Sequence, residues 1–158
     1  MEKYVFIIEL LVTKNLDKID KDMTKMLLKI YDLEIDNDTN FFTKTIWYKQ
    51  LKILAHLQYL QDFTDNINSE YSEVILHFII EAYSRANENL SFLYFMKVVM
   101  LVCKKAPNNE LYKKSDYFKK VLEICHEFFK NNYQEKKDSL IIEIVLYLVN
   151  YFKFLMNF

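Results

Sequence analysis

Residues 92–103, FLYFMKVVMLVC, are apolar on every side of a helix except at Lys97. A helix that is apolar on most sides has to be covered on most sides. We therefore expect this segment to be the central helix of the protein. The last nineteen residues, 140–158, have a similar character. They are expected to form a closing core helix, an association surface or, least favoured, a membrane anchor.

The composition indicates a chain that is built from helices alone. It has 158 residues, 52% of them hydrophobic, with no glycine and one proline. Hairpin turns and phosphate-binding loops need backbone conformations that glycine adopts most easily. Helices joined by Asn, Asp and Ser turns do not need glycine. The sequence therefore predicts a single all-α domain over residues 1–158.

The spacing of apolar side chains at about 3.6 residues predicts about seven helices. They are expected near residues 2–14, 17–33, 43–62, 69–85, 89–105, 115–131 and 138–156. Alternate helices begin about 46 to 49 residues apart, which is the rhythm of two- or three-helix solenoid repeats. A compact helical bundle stays open as the alternative architecture.

Two helices carry aromatic residues whose placement tests this scheme. In the helix near 43–62, Trp47 shares a face with Leu51 and Leu54, so we expect it to pack in the core rather than to stack on a nucleic-acid base. The helix near 115–131 is expected to turn one apolar face inward. That face comprises Phe118, Val121, Leu122, Cys125, Phe128 and Phe129.

Residues 108–151 place Asn109, Leu111 and a turn at 115–116 ahead of an apolar helix. This order resembles an armadillo or HEAT-type repeat, although Ser115 or Asp116 stands where that family has a turn glycine. The resemblance implies a right-handed α-solenoid whose concave face binds extended peptides or other proteins. It also implies a helix-borne Asn that hydrogen-bonds the peptide backbone, and Asn150 is the candidate.

Motifs for catalysis or for metal binding are not evident in the sequence. A chain without glycine has no P-loop, no dinucleotide fingerprint and no nucleophile elbow. Glu73, His77 and Glu81 share one helix face and are possible metal ligands, but a solvated face is the favoured interpretation. Cys125 and His126 are adjacent, and their side chains point about 100° apart on a helix. We expect no enzyme activity, no metal and no cofactor.

Charge and cysteine content bear on partners and compartment. The net charge is −1 and Arg85 is the one arginine, which argues against nucleic-acid binding. The excess of Lys over Arg indicates the codon bias of an AT-rich genome. Cys103 and Cys125 fall on apolar stripes and are expected to be buried free thiols, which suits the cytoplasm or another reducing intracellular compartment. Glu143, inside the last helix, argues against a membrane span.

The sequence therefore favours a protein–protein interaction module, either an adaptor or a scaffold fragment, that binds a peptide or a partner protein. Self-association through residues 138–158 is a further expectation. The alternative is a compact viral or parasite bundle, similar to Bcl-2-like domains, that sequesters an amphipathic helix of a host signalling protein. The expected partner-binding residues are Lys52, His56, Tyr59, Tyr147, Asn150, Tyr151 and Phe154.

Overall fold

The computed structural model describes residues 2–26, 43–65, 67, 69–86, 90–105, 116–132, 142–143 and 145–150. Over these residues the protein is helical and contains no strand, so the predicted all-α class is confirmed. A 3-10 turn, Leu16–Lys18, follows the first helix. The helices are α1 (Glu2–Lys14), α2 (21–26), α3 (Lys44–Leu57), α4 (Gln61–Asp65), α5 (Ser69–Ala86), α6 (Ser91–Lys105), α7 (Asp116–Asn132) and α8 (142–143 and 145–150).

The predicted central position of residues 92–103 is confirmed, because α6 is enclosed by its neighbours. Both α3 and α5 pack against it. Phe92 stacks on Phe128 of α7, with ring centroids 3.9 Å apart. The buried residues of α6 are Ser91, Phe92, Leu93, Phe95, Met96, Val98, Val99, Leu101, Val102 and Cys103. Burial of this many large apolar side chains makes α6 the main hydrophobic contribution to stability.

The helices follow one another in a regular order. α3 lies between α1 and α6, while α5 packs against both α3 and α6, and α7 packs against α5. An ion pair between Lys97 and Glu143 joins α6 to α8. The starts of α3 and α6, at Lys44 and Ser91, are 47 residues apart, and those of α5 and α7, at Ser69 and Asp116, are also 47 residues apart. Helices separated by this interval therefore pack against each other.

The helix predicted over 43–62 is in fact two helices, α3 and α4. Hydrogen bonds from the N–H of Tyr59 to the carbonyl of His56 and from the N–H of Leu60 to that of Leu57 tighten the end of α3 into a turn. In an unbroken helix Phe63 would lie about 120° around from Leu57. The turn allows both side chains to enter the core, where they are 1% and 0% exposed.

The helix predicted from residue 17 begins later than expected. Residues 16–18 form the 3-10 turn, and Ile19 is extended, with its side chain buried. The side chain of Asp20 then accepts a hydrogen bond of 2.9 Å from the N–H of Met23, as an N-cap does. Aspartate is a preferred residue at this position, so α2 begins after Asp20. The predicted continuation beyond residue 26 lies outside the described residues.

The predicted inward face of α7 is correct in part. Val121 and Cys125 are buried and Phe128 is half-buried, but Phe129 is 41% exposed. The covered positions follow the i, i+4, i+7 line of one helix face, and Phe129 falls beside that line. The side chain of Phe118 lies outside the described residues, as do Asn109, Leu111 and Ser115, on which the armadillo resemblance depends.

Trp47 packs in the core, as predicted. It is 2% exposed, and its ring centroid lies 5.6 Å from that of Phe78 on α5. The guanidinium of Arg85 lies 5.7 Å from the centroid of the same ring. Trp47 therefore joins α3 to α5 and is not available for stacking on a base.

Candidate functional site

Side chains from three neighbouring helices form a continuous surface, which we call the lysine–tyrosine strip. On α3 its members follow i, i+4 and i+7 spacings, so they share one helix face. All of them are half-buried except Tyr59, which is exposed. The members are Tyr48, Lys49, Lys52, His56 and Tyr59 of α3, Tyr94 and Lys97 of α6, and Tyr147 of α8.

At the α1 end of the strip, one carboxylate holds two lysines. Lys49 and Lys52 both donate to Glu9, with a distance of 2.9 Å from Lys52 Nζ to Glu9 Oε1. The Lys49 ammonium also lies 3.9 Å from the ring centroid of Phe6. Burial raises the pKa of Glu9, but the hydrogen bonds and charges of the two lysines outweigh burial and leave the pKa below its usual value. One positive charge remains after pairing at this end.

In the middle of the strip, aromatic rings from α3 and α6 contact each other. The ring centroid of Tyr94 lies 5.8 Å from that of Tyr48 and 6.0 Å from that of His56. The planes of the two ring pairs are tilted by 52° and 50°, between the stacked and the edge-on arrangement. His56 Nδ1 lies 2.8 Å from the carbonyl oxygen of Lys52. These contacts fix the side chains that α3 and α6 present to solvent.

At the α8 end, Lys97 meets the last helix. Its Nζ lies 3.4 Å from Glu143 Oε1 and 5.8 Å from the ring centroid of Tyr147. Burial raises the pKa of Tyr147, and nearby Tyr59 and Glu143 act in the same direction. The charge of Lys97 and the neighbouring Gln58 side chain lower this pKa without cancelling the rise. The phenol of Tyr147 is therefore neutral at physiological pH.

Apolar side chains of α8 continue the surface beyond the strip. Leu148 is buried against the core, whereas four other apolar residues of the helix are exposed. Those four recur at i, i+3, i+4 and i+7, the pattern of one helix face that packs on another helix. We call them the α8 stripe: Ile142, Val145, Leu146 and Val149. The last helix is therefore only partly covered by the described part of the chain.

The predicted partner-binding residues are brought together in part. Lys52, His56, Tyr59 and Tyr147 all belong to the strip, although Lys52 is paired with Glu9. Asn150 is exposed on α8, one turn after Tyr147. Tyr151 and Phe154 lie outside the described residues.

Sequence reasoning missed the contribution of α6 to this surface. Tyr94 and Lys97 lie in the segment that was expected to be enclosed, and both are half-buried instead. The signal that could have found them is Lys97 itself, because a lysine in an apolar helix must reach solvent or an acidic partner.

The two helices behind the strip have an unusual charge distribution. α3 and α6 contain six lysines and no acidic residue. Their ammonium groups pair with three carboxylates from neighbouring elements, Glu9, Glu143 and Asp65, the last of which lies 3.7 Å from Lys105. Counted over the residues that the structure describes, these pairs leave an excess of three positive charges on α3 and α6. α5, in contrast, carries three glutamates and one arginine.

A separate cleft of about 540 Å³ opens between α5 and α7. Tyr83 and Phe128 line its interior, and Lys120, Glu123 and Glu127 lie along it. Burial raises the pKa of Tyr83 to about 12, with further contributions from Glu127 and Cys125. Its phenol is therefore protonated at neutral pH. The cleft has charges of both signs and lies away from the strip.

The thiols are buried, and Glu81, one of the considered metal ligands, forms an ion pair. Cys103 and Cys125 are free and buried, as expected, and burial raises the pKa of each thiol to about 12. His126 is exposed beside buried Cys125, so the two do not form a pair. Glu81 binds Arg85 at 2.6 Å. In the part of the chain that the structure describes, no group of three His, Cys, Asp or Glu residues is placed to hold a metal ion.

Comparison with protein-family models, with characterised proteins and with solved structures found no match for this chain. The described helices were also tested for length and hydropathy. Among them, none has both the length and the apolar character that crossing a bilayer requires.

Proposed function

We propose that this chain is a protein–protein interaction module, an adaptor or scaffold fragment, with the lysine–tyrosine strip as its binding surface. The observation that carries the proposal is the strip itself, in which tyrosine rings and lysine ammonium groups are held half-buried across adjacent helices. Tyrosine offers a large contact area at a small cost in conformational entropy and is enriched at interfaces. Contacts such as those of Tyr94 preorganise the surface before a partner arrives.

The helix order supports an open stack as the scaffold for this surface. The helical pair α3 and α5 recurs 47 residues later as the pair α6 and α7. Equivalent helices of the two pairs pack against each other, α3 against α6 and α5 against α7. An α-solenoid repeats a helical pair in this way and lines one face with equivalent helices. We propose that α1, α3, α6 and α8 form that face, in a protein that works inside the cell and performs no catalysis.

A polypeptide fits this surface better than a nucleic acid does. The rings of Tyr48, His56 and Tyr94 contact each other at a tilt rather than standing open as stacking platforms. The α8 stripe adds apolar surface, which suits the side chains of a protein rather than a phosphodiester backbone.

An amphipathic helix is the second candidate ligand, and the α8 stripe is the observation that favours it. Its i, i+3, i+4, i+7 spacing matches that of a helix docked in a groove. The ligand would come from a partner protein, as in the Bcl-2-like alternative, or from residues 138–158 of a second copy. Light scattering of the wild type and of a Val145→Glu, Leu146→Glu variant distinguishes a second copy from a partner protein.

Selection from two peptide libraries tests the proposal. The full chain is immobilised and challenged with random 12-residue peptides and, separately, with a library on a stable helical scaffold. Binders are then titrated against Tyr94→Ala, Tyr147→Ala and against a matched His126→Ala, Phe129→Ala variant on α7.

We expect binders from the linear library. Their affinity for the Tyr94→Ala, Tyr147→Ala variant should be at least about tenfold weaker than for the wild type, because truncation of hot-spot aromatic side chains costs about 1.4 kcal/mol or more. The control should bind like wild type. Selection of helical binders alone would favour the second candidate. An empty selection, or binders that only the α7 variant weakens, would contradict the proposed surface.

A further inference from the structure

The excess of lysine on α3 and α6 indicates the chemistry of the partner. Fifteen residues of α6 and fourteen of α3 include no acidic side chain, and within the described part of the chain three carboxylates from neighbouring helices pair with four of their six lysines. Lys44 and Lys104 lie at exposed ends of these helices and extend the basic surface beyond the aromatic contacts in the middle of the strip. Complementary potentials across an interface steer association and fix the register of the partner.

Ion pairs within the protein do not neutralise the excess positive charge of α3 and α6. Glu9 holds two lysines at once, so its single negative charge does not neutralise them. Glu143 and Asp65 are each about half-exposed, at 48% and 57%, so their ion pairs with Lys97 and Lys105 are accessible to solvent. Exposed pairs contribute little and are easily exchanged for new ones. A carboxylate from a partner can therefore approach these lysines at small cost.

The row of helices also sets the length of the ligand. Packed helices lie about 9 Å apart, so the path from α1 over α3 and α6 to α8 is roughly 27 Å long. An extended chain rises about 3.3 Å per residue, so about eight residues cover this path. Side chains alternate along an extended chain, which places every second side chain toward the strip.

We infer that the lysine–tyrosine strip binds an acidic, extended polypeptide segment of about eight residues, whose strip-facing side chains include both carboxylates and apolar or aromatic groups. This inference rests on the proposed function, which it deepens by naming the partner's chemistry. The carboxylates meet the excess ammonium groups of α3 and α6. The apolar or aromatic side chains that face the strip contact the edges of the tyrosine rings and the aliphatic stems of the lysines.

The test compares two triple variants of the full chain in the linear-library selection. The strip variant combines Lys97→Gln in the strip with Lys44→Gln and Lys104→Gln at the exposed helix ends beside it, and the matched control is Lys119→Gln, Lys120→Gln, Lys130→Gln on α7. Both remove three positive charges, and the control residues are exposed. Selected peptides, their Glu→Gln counterparts and a 15-nucleotide thymidine oligomer are titrated by fluorescence anisotropy at two salt concentrations. Circular dichroism checks that each variant is folded.

We expect peptides selected on the wild type to be enriched in Asp and Glu and to lose about tenfold or more in affinity on Glu→Gln substitution, on the strip variant or at high salt. The control should bind within about twofold of wild type. Selected peptides that are neutral, and that bind the strip variant equally well, would overturn the inference and leave the proposed function standing. An empty selection would overturn both, as would an oligonucleotide that binds more tightly than every peptide.

Discussion

α6 and α8 look alike in the sequence, yet they occupy opposite situations in the structure. Ten of the fifteen residues of α6 are buried, because α3, α5 and α7 surround it. α8 buries Leu148 and half-buries Tyr147, and it leaves the α8 stripe exposed. An apolar pattern thus predicts that a helix must be covered by other apolar surface. The position of the helix in the stack determines whether the same chain covers it.

The largest expected effect is the loss of a buried ring from α6. Phe95 is fully buried against Tyr83 and Phe92, so we expect Phe95→Ala to lower the free energy of unfolding by about 3–5 kcal/mol. The matched substitution on α8, Leu146→Ala, removes an exposed side chain and should cost less than about 0.5 kcal/mol. Urea denaturation followed by circular dichroism measures both. Equal losses would show that α8 is as enclosed as α6.

Thiol reactivity also distinguishes the enclosed helices from the exposed face of α8. With a pKa of about 12, the thiols of Cys103 and Cys125 are almost wholly protonated at pH 8. We expect them to react with a disulfide reagent about three orders of magnitude more slowly than an unperturbed thiol, whose pKa is about 8.5. A Leu146→Cys variant should gain one thiol that reacts at the unperturbed rate. Two fast thiols in the wild type would contradict the burial of α6 and α7.

The ion cluster of Glu9 with Lys49 and Lys52 is less exposed to solvent than Glu143 in the ion pair at α8. Its side chain is 13% exposed, so Glu9→Gln leaves Lys49 and Lys52 without their carboxylate, and we expect a loss of about 2 kcal/mol at pH 7. The folded pKa of Glu9 is lowered, so its contribution is complete above the ordinary glutamate value of about 4.3 and is lost as the pH falls toward the folded pKa. Wild type and Glu9→Gln should therefore converge in urea denaturation as the pH falls below the ordinary glutamate value.

The smallest effect is expected at the pair between α6 and α8. Glu143 is 48% exposed, so Glu143→Gln should change the free energy of unfolding by less than about 1 kcal/mol at moderate salt. A double-mutant cycle with Lys97→Gln, measured at low and high salt, isolates the coupling between the two residues. A coupling as large as that of Glu9 with Lys52 would mean that α8 is locked to the core rather than lying at its edge.

The fold class and the central helix were predictable because they depend on side-chain periodicity alone. The absence of glycine and the apolar run around Phe95 were sufficient for both. The break between α3 and α4 was not predictable, because Gln58, Tyr59 and Leu60 include no helix breaker, and the turn arises from the burial of Phe63 with Leu57. Tertiary packing overrides local propensity at such places.

The site was predictable only on α3 and α8. His56 and Tyr59 lie on the polar face of their helix, which periodicity reveals. The role of Glu9 was not predictable, since its two lysines are 40 and 43 residues away in the chain. The partnership of Tyr94 with His56 likewise depends on the packing of α3 against α6, which no local pattern specifies.

The claim that α3, α6 and α8 together present a binding surface for a polypeptide is tested most directly by hydrogen exchange with mass spectrometry. The wild-type chain is measured alone and with a saturating amount of a peptide selected from the linear library. We expect exchange to slow in residues 45–59, 93–104 and 145–150 and to stay unchanged in residues 119–131. Slowing confined to residues 119–131, beside the cleft between α5 and α7, would contradict the claim.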